Sequence, residues 1–274
     1  MTSPQPASET TASAADLVRQ IGVISATVFM LIAAMVGTGL FGGTAVQDLQ
    51  GGALDADASY LAPARPAFQI WSVIYLGLIA YAIWQALPSQ RASMRQRSMG
   101  WWIAVTEVLN GLWLVTAQFT TLLLTVVMIA VLLVALGLTF RRSVATRLPR
   151  GGVLDAALID GVTGLHLGWV TLATVANLTA YFTASGVRVD APDVWGIVVL
   201  LVVGVIGLGI AWASRWRIAP GVAIAWGLTW LAVARFTGEP PSEAIATAAL
   251  LVAVVVLLVP AVIAGLRLLR PEHD

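Results

Sequence analysis

The sequence predicts an all-α integral membrane protein, a multi-spanning helix bundle of about eight transmembrane helices. Composition gives the first reason: 59% of the 274 residues are apolar and 11% charged, with a mean hydropathy of +0.89, against about 45–50% and about 25% in soluble domains. The second is the division of the apolar residues into eight runs, each close to the roughly 20 residues needed to cross about 30 Å of hydrocarbon. Continuous runs favour helices over barrel strands, which would alternate apolar and polar residues. The third is charge placement. Twelve of the 15 arginines fall in alternate connecting segments, and only Arg65, Arg188 and Arg235 fall on the other side. Basic residues collect in short cytoplasmic loops, so an even number of helices with both termini cytoplasmic accounts for the bias.

The runs lie near 20–41, 67–87, 100–116, 120–140, 160–184, 194–214, 218–236 and 243–266. Residues 1–17 are small, polar and Pro-containing, and are expected to form a disordered cytoplasmic tail. The first run is too long for the core of a cleaved signal peptide and reads as a retained helix. Pro66 suits the start of the second helix, where a missing N–H costs nothing. The third and fourth runs are parted only by Ala117-Gln118-Phe119. In the fifth, Gly161, Gly164 and Gly168 form a small-residue face of the kind that lets helices pack closely. Asp155 and Asp160, near the start of that run, read as solvated or as capping its N-terminus.

Composition also limits function. There are no cysteines, and His166 and His273 are the two histidines, so disulfides, thiolate nucleophiles and multi-histidine metal sites are excluded. No basic run points to nucleic acid. Gly37, Gly39 and Gly42 match G-x-G-x-x-G formally, but the match follows a spanning helix rather than a strand, so it does not signal a nucleotide site. The long first loop, about 42–66, exceeds an ordinary connector and reads as a lid.

Three helices carry polar and aromatic residues on one face. Trp71 and Tyr75 are four apart on the second; Glu107, Asn110 and Trp113 step by three on the third. On the fifth, His166, Trp169, Ala173 and Asn177 fall within an arc of about 80° at 100° per residue. These stripes suggest a shared interior, either a ligand cavity or packed core with satisfied N–H groups. Glu107 is the acidic residue deepest within an apolar run, and intramembrane carboxylates mark proton paths or pin helices together; His166 is one partner it could take. Trp101, Trp102 and Trp216 lie near helix ends, as interfacial tryptophans do.

The blocks Pro66-Ala67-Phe68-Gln69-Ile70-Trp71-Ser72-Val73-Ile74-Tyr75, Leu109-Asn110-Gly111-Leu112-Trp113 and Trp169-Val170-Thr171-Leu172-Ala173-Thr174-Val175-Ala176-Asn177 occur in the order and helices in which the TspO/MBR family has them. The chain resembles this family of tryptophan-rich sensory proteins, relatives of the translocator protein, over about residues 20–186. It departs from the pattern at Leu165-His166, where the family usually has Pro-Tyr, and at Thr106, where it usually has Gln.

The resemblance implies a five-helix bundle over 18–186; beyond it the apolar runs add three transmembrane helices and a short C-terminal tail over 187–274. It implies binding, sensing or transport of a planar hydrophobic ligand, a porphyrin or other tetrapyrrole or a sterol-like lipid. The expected ligand-binding residues are Trp71, Tyr75, Asn110, Trp113, His166, Trp169, Ala173 and Asn177, with Glu107 a candidate for proton coupling. No cofactor is required, although a tetrapyrrole could be the ligand. Catalysis is not expected, because no nucleophile, base and orienter set is present. The alternatives are a proton-coupled secondary transporter using Glu107, and an assembly partner of another membrane protein. Expected partners are the lipid bilayer, a hydrophobic small molecule and a second copy of the chain, with no nucleic acid; the expected location is a bacterial inner (plasma) membrane.

Overall fold

The computed structural model describes residues 11–147 and 152–269. Among these there is no strand, and eight long helices follow in order: α1 (Ala14–Gly37), α2 (Ile70–Ala86), α3 (Met94–Phe119), α4 (Leu122–Ala145), α5 (Val153–Ala184), α6 (Pro192–Ala213), α7 (Ala219–Thr237) and α8 (Glu243–Leu269). Seven are long and apolar enough to cross a membrane; α3 is the more polar exception. It carries Arg95, Gln96, Thr106, Glu107 and Asn110, all buried, and it packs between α1 and α4. Outside the bundle, large apolar side chains such as Leu76 and Val205 are exposed. That pattern fits a protein whose solvent is lipid.

Several boundaries differ from those expected, and each difference comes from polar turns that an apolar run cannot reveal. Helix α1 begins at Ala14 rather than near residue 20, because Ser13 and Asp16 form a reciprocal capping box and Asp16 pairs with Arg97 of α3 at 2.6 Å. Residues 1–10 of the expected tail lie outside the described residues. Helix α3 starts at Met94, with the Ser93 hydroxyl capping the Gln96 N–H. It runs on through Ala117, Gln118 and Phe119, so the break falls at Thr120 and Thr121 instead. Helix α5 starts at Val153 and contains a π-helical stretch, Ala156–Gly161.

The π stretch has a structural consequence. Five residues apart on an α-helix is about 140° around the axis, but the wider turn of a π segment lets Asp155 and Asp160 both reach Arg95, at 3.0 Å and 2.8 Å. Asp160 also receives Arg217 at 2.9 Å, and Arg147. The two aspartates are therefore neither solvated nor helix caps. They are buried beside a buried arginine, since carboxylates in a bundle must be paired.

Helix α7 packs along α5, which α6 touches only lightly. A Cβ on Gly168 would collide with the Pro220 carbonyl oxygen, and one on Gly164 would sit 2.8 Å from the Ala219 Cβ. The small-residue face is thus the seam where α5 receives the start of α7. Packing is shared across residue 186: Ala223 of α7 belongs to the core of the first five helices, and Leu172 of α5 belongs to that of the last three.

Candidate functional site

At the end of the bundle away from the ion network, α1, α2 and α3 diverge beneath the first loop. They leave a cavity of about 490 Å³ lined by Leu31, Ala34, Phe68, Trp71, Tyr75 and Trp113, among others. A narrower space of about 50 Å³ continues toward α4 and α5, lined by Phe68, Trp113, Ile129, Trp169, Ala173 and Asn177. Phe68 and Trp113 line both and stand as the partition, with Val46 of the loop above them.

The rings are held against one another. Trp71 stacks on Tyr75 at 5.2 Å, one helical turn away on α2, and meets Trp169 edge-on at 6.2 Å. Phe68 also meets Trp169 edge-on, at 5.8 Å. Such edge-to-face pairs contribute about 0.5–1.5 kcal/mol each beyond their buried area. They also leave polar handles. The indole N–H groups of Trp113 and Trp169 are buried and have no acceptor among the described residues, although buried indoles normally find one.

Of the eight residues expected to bind ligand, six line these spaces: Trp71 and Tyr75 the larger, Trp169, Ala173 and Asn177 the narrower, and Trp113 both. Asn110 and His166 line neither. They sit buried behind the rings, where the Tyr75 hydroxyl donates to Asn110 Oδ1 at 3.1 Å and the His166 ring meets Trp71 at 5.6 Å. Asn110 Nδ2 lies 3.5 Å from His166 Nε2. This chain orients the α2 rings from behind. Asn177 accepts from Thr125 of α4 at 3.0 Å, which ties the far wall of the narrow space together.

Glu107 also lies outside both cavities. Its two carboxyl oxygens are 3.0 Å and 3.1 Å from the Thr27 hydroxyl of α1, so its partner is Thr27 rather than His166. Thr27 also reaches the Val23 carbonyl at 3.0 Å, so a single hydroxyl proton faces three oxygens. Among the described residues Glu107 has no ion pair, and its place between α1 and α3 is that of a pin between helices.

The loop that roofs the cavities is fastened from several sides. Asp55 receives two hydrogen bonds from Arg65, at 2.9 Å and 2.6 Å, and that guanidinium holds the carboxyl below its ordinary value. Gln50 donates to the Thr120 carbonyl at 2.6 Å, and Gln118 bonds the Thr44 backbone. Helix α7 supplies the rest. Buried Arg235 donates to the Ala56 carbonyl at 2.8 Å, the Ala64 N–H donates to the Trp230 carbonyl at 3.1 Å, and the Trp226 indole donates to the Ala67 carbonyl at 2.8 Å. Sequence reasoning missed Phe68, Arg235, Trp226 and Trp230 as site-building residues. The four-residue spacing of the two tryptophans on α7 was the signal available for that pair.

No curated protein and no solved structure matches the chain. A family model described as TSPO-like protein matches residues 20–262, so the match extends past residue 186 and over most of the last three helices. With the aromatic blocks of α2, α3 and α5 gathered around one roofed interior, the chain belongs to the TSPO-like protein family.

Proposed function

We propose that this protein binds a planar hydrophobic ligand, a tetrapyrrole or a sterol-like lipid, in the cavity between α1, α2 and α3, with one edge of the ligand reaching past Phe68 toward Trp169. The family supports a membrane sensing, binding or transport role in general. The observation that carries the proposal is the pair of buried indole N–H groups without acceptors among the described residues, on Trp113 and Trp169, set in ring-lined walls that are apolar but for Asn177 and Asp55. An apolar ligand body would stack on the rings, and a carbonyl or carboxylate edge would accept from the indoles. In this reading Trp71, Tyr75, Trp113, Trp169, Ala173 and Asn177 touch ligand, while Asn110 and His166 act through Tyr75 and Trp71.

The test is a titration of purified protein with protoporphyrin and, separately, with a fluorescent sterol analogue, read by tryptophan quenching. Saturable quenching that competes between the two and is abolished by Ala173→Phe or Trp113→Phe is expected. Non-saturable quenching, or quenching unchanged in both variants, refutes the site.

We further propose that both termini and the ion network face the cytoplasm of a bacterial inner membrane, on the strength of the arginine bias. In this cysteine-free chain, cysteine at exposed Ala12 should be shielded from an impermeant thiol reagent in intact cells, and cysteine at exposed Ser185 should react. The opposite labelling inverts the topology.

A further inference from the structure

A second hollow lies on the outside of the bundle, away from the ligand cavity. It is a groove of about 480 Å³ between α4, α5 and α6, walled by residues such as Leu133, Phe140, Leu167, Val175 and Ile206, with Arg141 at one end. The hydroxyls that could make the wall polar are already used. Thr171 donates to the Leu167 carbonyl, Thr174 to the Val170 carbonyl and Ser214 to the Ala211 carbonyl, each within its own helix. Gly137, on the groove floor, has open space where a Cβ would be.

Arg141 is placed differently from its neighbour. Arg142 is engaged, donating to the Ser98 carbonyl at 2.7 Å with its guanidinium over the Trp102 ring. Arg141 is exposed and makes no hydrogen bond or ion pair among the described residues. On α4 the groove runs from Leu133 to Val144, about 16 Å at 1.5 Å per residue. That is close to one leaflet, half of the roughly 30 Å hydrocarbon core. The groove starts near mid-membrane and ends at the arginine-rich surface.

The geometry points to a bound anionic phospholipid, with one acyl chain in the groove and its phosphate at Arg141. The apolar wall offers a headgroup nothing, and the unpartnered cation at the mouth offers a chain nothing, so an amphiphile of this polarity satisfies both. The site lies where α6 touches the first five helices only lightly. A resident chain would fill the gap between the two parts of the bundle, independently of what the ring-lined cavity takes.

The experiment uses the full-length protein in nanodiscs of phosphatidylcholine and phosphatidylglycerol, three to one, with retained lipid counted by native mass spectrometry after release into mild detergent. One phosphatidylglycerol per chain, retained in preference to phosphatidylcholine, is expected. Arg141→Gln should weaken retention roughly fivefold, the ratio expected for one arginine near an anionic surface, and Arg141→Lys should restore it. Gly137→Leu should displace the chain from the groove without contact strain, leaving the unfolding midpoint in lipid-free detergent no lower. Equal retention of both lipids, retention unchanged in Arg141→Gln and Gly137→Leu, or a dimer mass in place of bound lipid would each overturn the proposal.

Discussion

At the arginine-rich end, Arg147 and Arg217, both partly exposed, and buried Arg95, Asp155 and Asp160 converge from four parts of the chain into one network. At the opposite end α3 and α5, now with α1, α2 and α4, surround cavities walled by rings and covered by a loop. The closed end is fixed by charge pairs that must be complete, since an unpaired buried ion is costly. The hollow end is held by edge-to-face rings and backbone hydrogen bonds. Rigidity at one end lets the other stay open without the bundle collapsing on itself.

The largest effect is therefore expected from breaking the closed end. Asp160→Ala leaves Arg147 and Arg217 without an ion-pair partner among the described residues and leaves Arg95 with Asp155 alone. A loss of about 3–5 kcal/mol of stability is expected, read as a lowered unfolding midpoint in detergent. Ligand affinity per folded molecule should stay unchanged, because no member of the network lines the cavities. A fall in affinity equal to the fall in stability would mean that the two ends are not separate.

Next comes the seam between α5 and α7. At Gly168 a methyl group has no room against Pro220, so Gly168→Ala should cost about 1–3 kcal/mol by overpacking. At Gly137, on the open groove, the same substitution meets nothing and should stabilise by about 0.5–1 kcal/mol through helix propensity. The pair of midpoints, one down and one up, is the check. Trp169→Leu removes a buried ring, so it should lower the midpoint as well, and in the molecules that stay folded it should weaken the Kd by the equivalent of roughly 0.5–1.5 kcal/mol.

How much of this was legible depends on which physical signal each feature leaves. Hydropathy and arginine bias report on the solvent each segment meets, so the helices and the charge-rich end could be read from the chain. Periodicity reports which residues share a face, and it brought Trp71 with Tyr75 and Trp169 with Ala173 and Asn177. It does not report which helix that face meets. Glu107 was therefore separable from the stripe only once Thr27 was seen opposite it, and His166 stood in line with Trp169 yet lies behind Trp71. The aspartates of α5 hid for another reason: only a π turn puts residues five apart on one side. The lid's attachment to α7 joins Ala56 to Arg235, and no local pattern spans that distance in sequence.

The smallest effect tests whether the lid is part of the hollow end's looseness. Asp55 is held below its ordinary value of 3.8 chiefly by its hydrogen bonds from Arg65, with the Ala56 N–H adding to the same effect and burial opposing it. A carboxyl lowered in the folded state contributes fully above its unfolded value and loses that contribution as pH falls through the lowered folded value. The Asp55–Arg65 clasp should thus be intact at neutral pH and open only below the ordinary carboxylate range. Arg65 is largely exposed, so solvent screens the pair and the change in ligand dissociation rate should be about twofold. Asp48 sits 3.7 Å from the same guanidinium and can take over, so the informative variant is Asp48→Asn with Asp55→Asn. Its dissociation rate at neutral pH should match that of the wild type in acid and should not change further as pH falls. The bonds from Arg235 to Ala56 and from Gln50 to Thr120 carry no titratable acceptor, so they hold the loop at every pH in that window. A stopped-flow dissociation rate that still rises steeply with acid in the double variant would place the pH-sensitive contact elsewhere in the roof.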